Sequence, residues 1–144
     1  MGLVRDVQRE GKLLSISTRL QSVAIGLNKI IDGQQIETSE TENFEWAGNL
    51  FGQMDLDSEH YRRREHPELC VIATELRPKL YEAILKFKIP FDAKFSEGLY
   101  ETLKSYGRKV QLKTDRLRQA CQIFQSMGND ILTGIQCSYK MGQI

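Results

Sequence analysis

The sequence predicts an all-α fold, a bundle of about five helices in which the first and last helices are long. Apolar residues recur in steps of three and four along most of the chain, which is the period of an amphipathic helix. No segment alternates as a half-buried strand would, and no internal repeat is present. A heptad-like apolar seam marks the C-terminal half. At 144 residues, the chain is long enough for one domain, 1–144, with a modest core.

The first helix is predicted to run from the N-terminus to about Ile31. Glycine at position 33 supplies a stop signal, and a polar stretch follows it. The apolar positions of this helix keep to helical steps and are Leu3, Val7, Leu13, Leu20, Ala24, Leu27 and Ile31.

A short second helix is predicted behind a capping box, in which the Ser39 hydroxyl and the Glu42 carboxylate would satisfy backbone amides at the helix start. One face of this helix carries Phe44, Ala47, Leu50 and Met54.

The third helix is predicted to begin at Pro67, because proline suits the first helical position and Glu68 complements the positive end of the helix dipole. Its stripe is Leu69, Ile72, Leu76, Leu80, Ile84 and Phe87. Pro78 lies inside the stripe and predicts a kink or a break near Arg77.

The last helix is predicted to follow Asp92, a candidate cap, and to contain the seam. Its residues step by four, three, four and three, with Lys113 as the single charge: Leu99, Leu103, Tyr106, Val110, Lys113, Leu117, Ala120, Phe124, Met127 and Ile131. This seam is either the core-facing stripe of an antiparallel bundle or a coiled coil for self-association, and periodicity does not separate the two.

The composition is that of an ordinary globular protein, with 40% hydrophobic and 27% charged residues. The opening residues show no signal-peptide pattern, and no apolar run approaches the length of a membrane span. Three cysteines, Cys70, Cys121 and Cys137, form no C-x-x-C pair. We therefore expect three free thiols in a reducing compartment, a cytoplasmic location and no contact with a membrane.

The stretch HYRRREHPELC, residues 60–70, contains both histidines and one cysteine. The spacing H-x5-H-x3-C is unlike the short paired spacings of structural zinc sites, and Pro67 interrupts it. A calcium loop beginning at Asp55 would need glycine at its sixth position, where His60 stands. We predict no metal and no other cofactor, because the chain also lacks a glycine-rich phosphate loop.

Catalytic patterns are equally absent from the sequence. Neither histidine lies in a nucleophile elbow. The arginine–histidine motif of the all-helical HEPN ribonucleases has four to six residues between the pair, whereas Arg62 and His66 have three. We predict that the protein is not an enzyme and has no catalytic residues.

Charge is unevenly distributed although the net charge is only +1. Residues 1–31 carry five basic and two acidic side chains, and residues 32–59 carry eight acidic and no basic ones. Residues 60–118 carry fourteen basic and eight acidic side chains. The acidic segment could contact a neighbouring subunit, or it could lie over basic helices of its own molecule.

Three basic sets are candidate phosphate contacts, because lysine and arginine at this density can follow a nucleic-acid backbone without reading its sequence. The candidates are Arg5, Arg9 and Lys12 on one side of the first helix, together with Arg19; Arg62, Arg63 and Arg64; and Lys104, Arg108, Lys109, Lys113, Arg116 and Arg118.

With the basic sets Arg62–Arg64 and Lys104–Arg118 on a helical bundle that has no catalytic motif, the chain resembles the small all-helical subunits of multi-subunit, Cascade-like CRISPR interference complexes. This resemblance spans the whole chain and implies copies stacked along a ribonucleoprotein of antiviral defence. Such copies would hold a guide–target duplex or displaced DNA by its backbone.

Two functional hypotheses follow. The first is a non-catalytic subunit that binds the RNA or DNA backbone and stacks with other subunits, which would include copies of itself. The second is a protein–protein adaptor without nucleic-acid binding, whose docking face would be the seam or the segment of Trp46 and Phe51.

Overall fold

A computed structural model describes residues 2–54, 67–105 and 112–142, with side chains for 8–54, 68–105 and 112–137. The described residues form five helices: α1 (Gly2–Ile31), α2 (Thr38–Met54), α3 (Pro67–Lys86), α4 (Ala93–Lys104) and α5 (Thr114–Gly142). The all-α class is confirmed, as are the helix number and the long first and last members, of 30 and 29 residues. None of the described helices is both long and apolar enough to cross a membrane.

Helices α1 and α5 form an antiparallel pair, the most extensive helix contact in the described chain. The Ser17 hydroxyl donates a 2.7 Å hydrogen bond to the carbonyl of Gly128. Further along, the Cys121 sulfur lies 3.5 Å from the carbonyl oxygen of Ala24. A higher number on α1 is thus matched by a lower number on α5, which defines the antiparallel direction.

The core is built around α2, whose last eight residues are buried apart from Asn49. Such all-round burial is expected for a helix surrounded by others, and α2 packs on α1, α3 and α4. Apolar side chains of all five helices join one cluster. Its largest fully buried members are Phe44, Phe51, Phe95, Phe124, Leu20, Leu27, Leu50, Met54, Leu76, Leu80, Leu99 and Leu103.

Three local signals act as the sequence predicts. Gly33 follows α1 with φ of +74°, the left-handed conformation that ends many helices. Pro67 is the first residue of α3. The Asp92 carboxylate accepts a 2.7 Å hydrogen bond from the amide of Phe95 and so caps α4.

Two local predictions are wrong. The second helix begins at Thr38, so Ser39 lies inside its first turn instead of capping it. Of the kink or break predicted near Arg77, the break is wrong, because α3 continues through Pro78. Pro78 has no N–H, so the Thr74 carbonyl lacks its hydrogen bond within the helix. Both Pro78 and Thr74 are exposed. Water can therefore satisfy that carbonyl, and the proline ring needs no space in the core.

The prediction that a single helix follows Asp92 and contains the whole seam is wrong, because α4 ends at Lys104 and α5 begins at Thr114. Lys113 precedes α5 and is exposed, so it does not lie in a buried seam. Tyr106 and Val110 fall outside the described residues. The remaining seam positions are all buried, which confirms them as core: Leu99, Leu103, Leu117, Ala120, Phe124, Met127 and Ile131.

We expect Gly128→Ala to lower the free energy of unfolding by about 1–3 kcal/mol, because overpacking displaces neighbours. A Cβ at Gly128 would lie 2.8 Å from Cγ of Gln21 and 3.1 Å from the Ser17 carbonyl oxygen. Gly134→Ala on the same helix is the control. Its Cβ would meet nothing within 4 Å, so it should raise the same free energy by about 0.5–1 kcal/mol. Urea denaturation measures both, and equal shifts would contradict the close packing of α1 on α5.

Candidate functional site in the groove between α1 and α3

Six of the thirteen predicted phosphate contacts lie outside the described side chains. They are Arg5, Arg62, Arg63, Arg64, Arg108 and Lys109. The other seven are described, and they divide into residues with a place inside the fold and residues that point to solvent.

Arg116 belongs to the fold. Its guanidinium donates a 2.7 Å hydrogen bond to the carbonyl of Pro90 and lies 3.6 Å from the Asp92 carboxylate. It also covers the ring of Phe95, at 4.8 Å from the ring centroid. Arg116 thus joins the start of α5 to the start of α4, and these contacts compete with any phosphate.

Two further cations have partners within the chain. The Lys104 ammonium donates to the side-chain oxygen of Asn49, and its stem lies over Gly48, where an added Cβ would come within 3.0 Å of it. Arg9 of α1 forms an ion pair with Glu75 of α3. Both cations therefore connect helices to each other.

Lys12, Lys113 and Arg118 are the exposed remainder. In the antiparallel pair, Lys12 is level with about residue 133 of α5, so roughly 25 Å of helix separates it from Lys113 and Arg118. These three cations therefore do not make one continuous basic surface.

Part of the acidic segment 32–59 is neutralised within the molecule. The Lys29 ammonium donates a 2.6 Å hydrogen bond to Glu40, and this bond raises the pKa of Lys29. Burial lowers the pKa of Arg19, against the attraction of nearby Glu42. Within the described residues, α1 and α2 thus share complementary charges.

The two residues of the predicted docking segment, Trp46 and Phe51, differ in exposure. Phe51 is fully buried and belongs to the core. Trp46 is half-buried, and the guanidinium of Arg19 stacks on its ring at 4.3 Å from the centroid. Phe51 is therefore not a docking residue.

Among the described residues, the thiols do not form a reactive centre with a histidine or a metal-binding cluster. His60 and His66 lie outside the described residues. The Cys70 thiol donates to the side-chain oxygen of Gln53, and burial raises the pKa of Cys121 to about 11, which keeps it protonated near neutral pH. In the ranges that the structure describes, no three metal-ligating side chains lie together.

The strongest candidate site is a groove between α1 and α3. The two helix backbones do not contact each other in the described part of the chain, although each packs on α5. The groove between them encloses about 520 Å³. Its floor is apolar, and it is formed by Leu13, Leu76, Ile131 and Ile135.

Charged side chains and an open glycine complete the groove. The rim carries both signs of charge and comprises Arg9, Glu10, Glu75, Lys79 and Asp130. The ion pair between Arg9 and Glu75 spans the groove from α1 to α3. Gly134 also lines the groove, and a Cβ built on it would meet nothing within 4 Å.

Of the groove residues, the sequence marks Arg9 as a candidate phosphate contact and Ile131 as part of the seam, one of the two predicted docking faces. Leu13, Leu76 and Ile131 carry the signal of ordinary core positions, because periodicity shows which face of a helix is apolar but not whether a neighbour covers it. Gly134 was a weak signal, since a glycine that does not end its helix often marks a place where something packs closely.

No family model, curated protein or solved structure matches this chain.

We expect Arg116→Ala to lower the free energy of unfolding by about 1–2 kcal/mol, because it removes a hydrogen bond to Pro90 and the cover over Phe95. Arg118→Ala, two residues away and exposed, should change it by less than about 0.5 kcal/mol. Urea denaturation of the two variants distinguishes a structural arginine from a surface one. If both substitutions have equally small effects, Arg116 is a surface cation and remains a candidate phosphate contact.

Proposed function

We propose that this protein is a non-catalytic adaptor, which holds a short amphipathic helix of another protein in the groove between α1 and α3. The observation that carries this proposal is the open groove itself, with an apolar floor over α5 and a charged rim. Helix-in-groove recognition uses this arrangement, in which apolar anchors fill the floor and polar flanks meet the rim.

A helix suits the groove better than a compact small molecule does. The cavity of about 520 Å³ is within the range of ligand sites. However, two helices wall it and it is open toward solvent, so an elongated guest can lie along it. The rim alternates between Arg9 and Lys79 on one hand and Glu10, Glu75 and Asp130 on the other. A guest with charges of both signs along its flanks would be matched.

The ion pair across the groove does not prevent entry. The side chains of Arg9 and Glu75 are 66% and 40% exposed. Such solvent-exposed pairs contribute about 0–1 kcal/mol. Arg9 and Glu75 can therefore exchange each other for charges on a bound helix at little free-energy cost.

We expect Gly134→Leu to abolish binding of the partner, because the leucine side chain would fill the groove floor. The matched control is Gly11→Leu, because a Cβ at Gly11 also meets nothing within 4 Å. Both substitutions replace a helical glycine by leucine, so both raise the helix propensity by the same amount. Tagged parent and both variants are used to capture proteins from the native host, and the captured proteins are quantified by mass spectrometry.

The proposal requires one protein that the parent and Gly11→Leu retain and that Gly134→Leu loses by at least about tenfold. A peptide copying an amphipathic helix of that protein should show the same order of affinities by calorimetry. Identical capture by all three forms would contradict the adaptor role of the groove. Loss of a bound small molecule instead, seen by native mass spectrometry, would make the groove a ligand site.

A second proposal is the nucleoprotein role, in which the chain binds the RNA or DNA backbone as a subunit of a CRISPR-effector-like complex. The supporting observation is that Lys113 and Arg118 are exposed at the start of α5. Arg108 and Lys109 precede them closely in the sequence. Charge on this end of the helix would act on any phosphate backbone, whatever its sequence.

If this second role holds, Lys113→Glu with Arg118→Glu should weaken binding to every oligonucleotide alike. The slope of log K against log salt should also become shallower by about 1.4–1.8, which corresponds to two phosphate contacts. Lys86→Glu with Lys94→Glu, also exposed, provides a control of equal charge change. Fluorescence anisotropy measures binding, and equal effects of the two pairs would reject a specific surface at α5.

A further inference from the structure

The outer surface of the α1–α5 pair carries no charge over a long stretch. On α1, Arg19 is the single charged residue between Leu13 and Asn28, and its side chain turns toward α2, where it donates to Asn43. On α5, no charged residue occurs from Gln119 to Asn129. This gap is unusual in a chain of which 27% is charged.

The uncharged residues of the two helices make one face. On α1, Leu14, Thr18 and Ile25 are separated by four and seven residues and are all exposed. On α5, Gln122, Gln125 and Asn129 are separated by three and four residues and are also exposed. We call these six residues the charge-free face.

The antiparallel register makes the charge-free face continuous. The contacts of Ser17 with Gly128 and of Ala24 with Cys121 place Gln21 of α1 beside Gln125 of α5. Gln21 is half-buried, and its side chain fills the space between the two helices. Leu14 and Ile25, which are 48% and 58% exposed, flank it along α1.

Depletion of charge together with exposed apolar side chains is the composition of an interface core. A solvated helix face normally carries lysine, arginine and glutamate, because these residues are almost never buried without a partner. Exposed Leu14 and Ile25 gain nothing from water, whereas Gln122, Gln125 and Asn129 can donate and accept hydrogen bonds across a contact.

A second copy of this chain fits the face best. A charged partner would find no opposite charge here, and its own charges would lose hydration without compensation. A copy presents the same uncharged face, so a two-fold contact brings no like charges together. We propose that the protein forms a two-fold symmetric dimer through the charge-free face of α1 and α5.

The size of the face sets the strength of this dimer. From Leu14 to Ile25 the face is about 17 Å long, and two adjacent helices make it about 20 Å wide. Each copy thus covers roughly 350 Å², or about 700 Å² for the pair, which is below the range of stable, specific interfaces and within that of weak, transient ones. The dimer is therefore weak and depends on concentration.

Sedimentation equilibrium of the parent protein tests the dimer directly. The mass should rise from 16.6 kDa toward twice that value as concentration increases, and the association should be insensitive to salt. A monomer at all concentrations overturns the proposal. Association that dissolves in high salt also overturns it, because stacking of acidic on basic segments would behave in that way.

Paired charge variants locate the interface. One variant carries Thr18→Glu, Ile25→Glu and Gln125→Glu, and the other carries lysine at the same three exposed positions. Each alone should need at least about tenfold higher concentration to dimerise, whereas their mixture should associate at least as well as the parent. Circular dichroism verifies that both are folded.

The control variant carries Val71→Glu and Leu85→Glu on α3, where the two side chains are 76% and 77% exposed. It should dimerise like the parent. If it fails to dimerise, or if the mixture of the glutamate and lysine variants stays monomeric, the interface is not the charge-free face.

Discussion

The close antiparallel contact of α1 with α5 is the constraint on which the rest of the structure depends. Glycine at position 128 lets the two backbones approach, and the Ser17 hydroxyl satisfies the Gly128 carbonyl at that point. Because α1 and α5 then lie side by side over most of their length, α2 can pack on one side of α1 while α3 packs on α5. The groove exists because α1 and α3 share a neighbour but do not contact each other.

Several charged side chains of the described residues connect parts of the fold to each other. Lys29 with Glu40, Arg9 with Glu75, and Arg116 with Pro90 and Asp92 each join two parts of the fold. Sequence segregation of charge suggested surfaces for external partners, but a side chain that already donates to a neighbour must give up that bond before it can contact a phosphate. The cations that bond to other helices are therefore less available to nucleic acid. Uncharged and apolar surfaces become the stronger candidates for binding a partner.

The sequence predicted those features of the fold that depend on a few adjacent residues. Gly33, Pro67 and Asp92 act through their own backbone chemistry, so each marks a helix end correctly. The sequence did not predict the break between α4 and α5, because the apolar positions before and after it keep to the same steps of three and four residues. This spacing shows which face of a helix is apolar, but it does not show where one helix ends and the next begins. Gly107, and Thr114 followed by Asp115, were the available warnings. The groove was not predictable, because it depends on which helices are neighbours, and that is decided by packing over the entire chain.

The groove and the charge-free face use different sides of α1, and this has a consequence for assembly. Arg9 and Leu13 line the groove, whereas Leu14 and Ile25 lie on the outer surface, rotated by about 100° or more around the helix. A dimer formed through the charge-free face would therefore leave both grooves open. Two identical grooves held at a fixed separation can bind a dimeric partner with an avidity about 10²–10⁴ times the affinity of one groove, provided that the partner spans them. Weak self-association and groove binding would then reinforce each other, since each bound partner raises the effective concentration of the second copy.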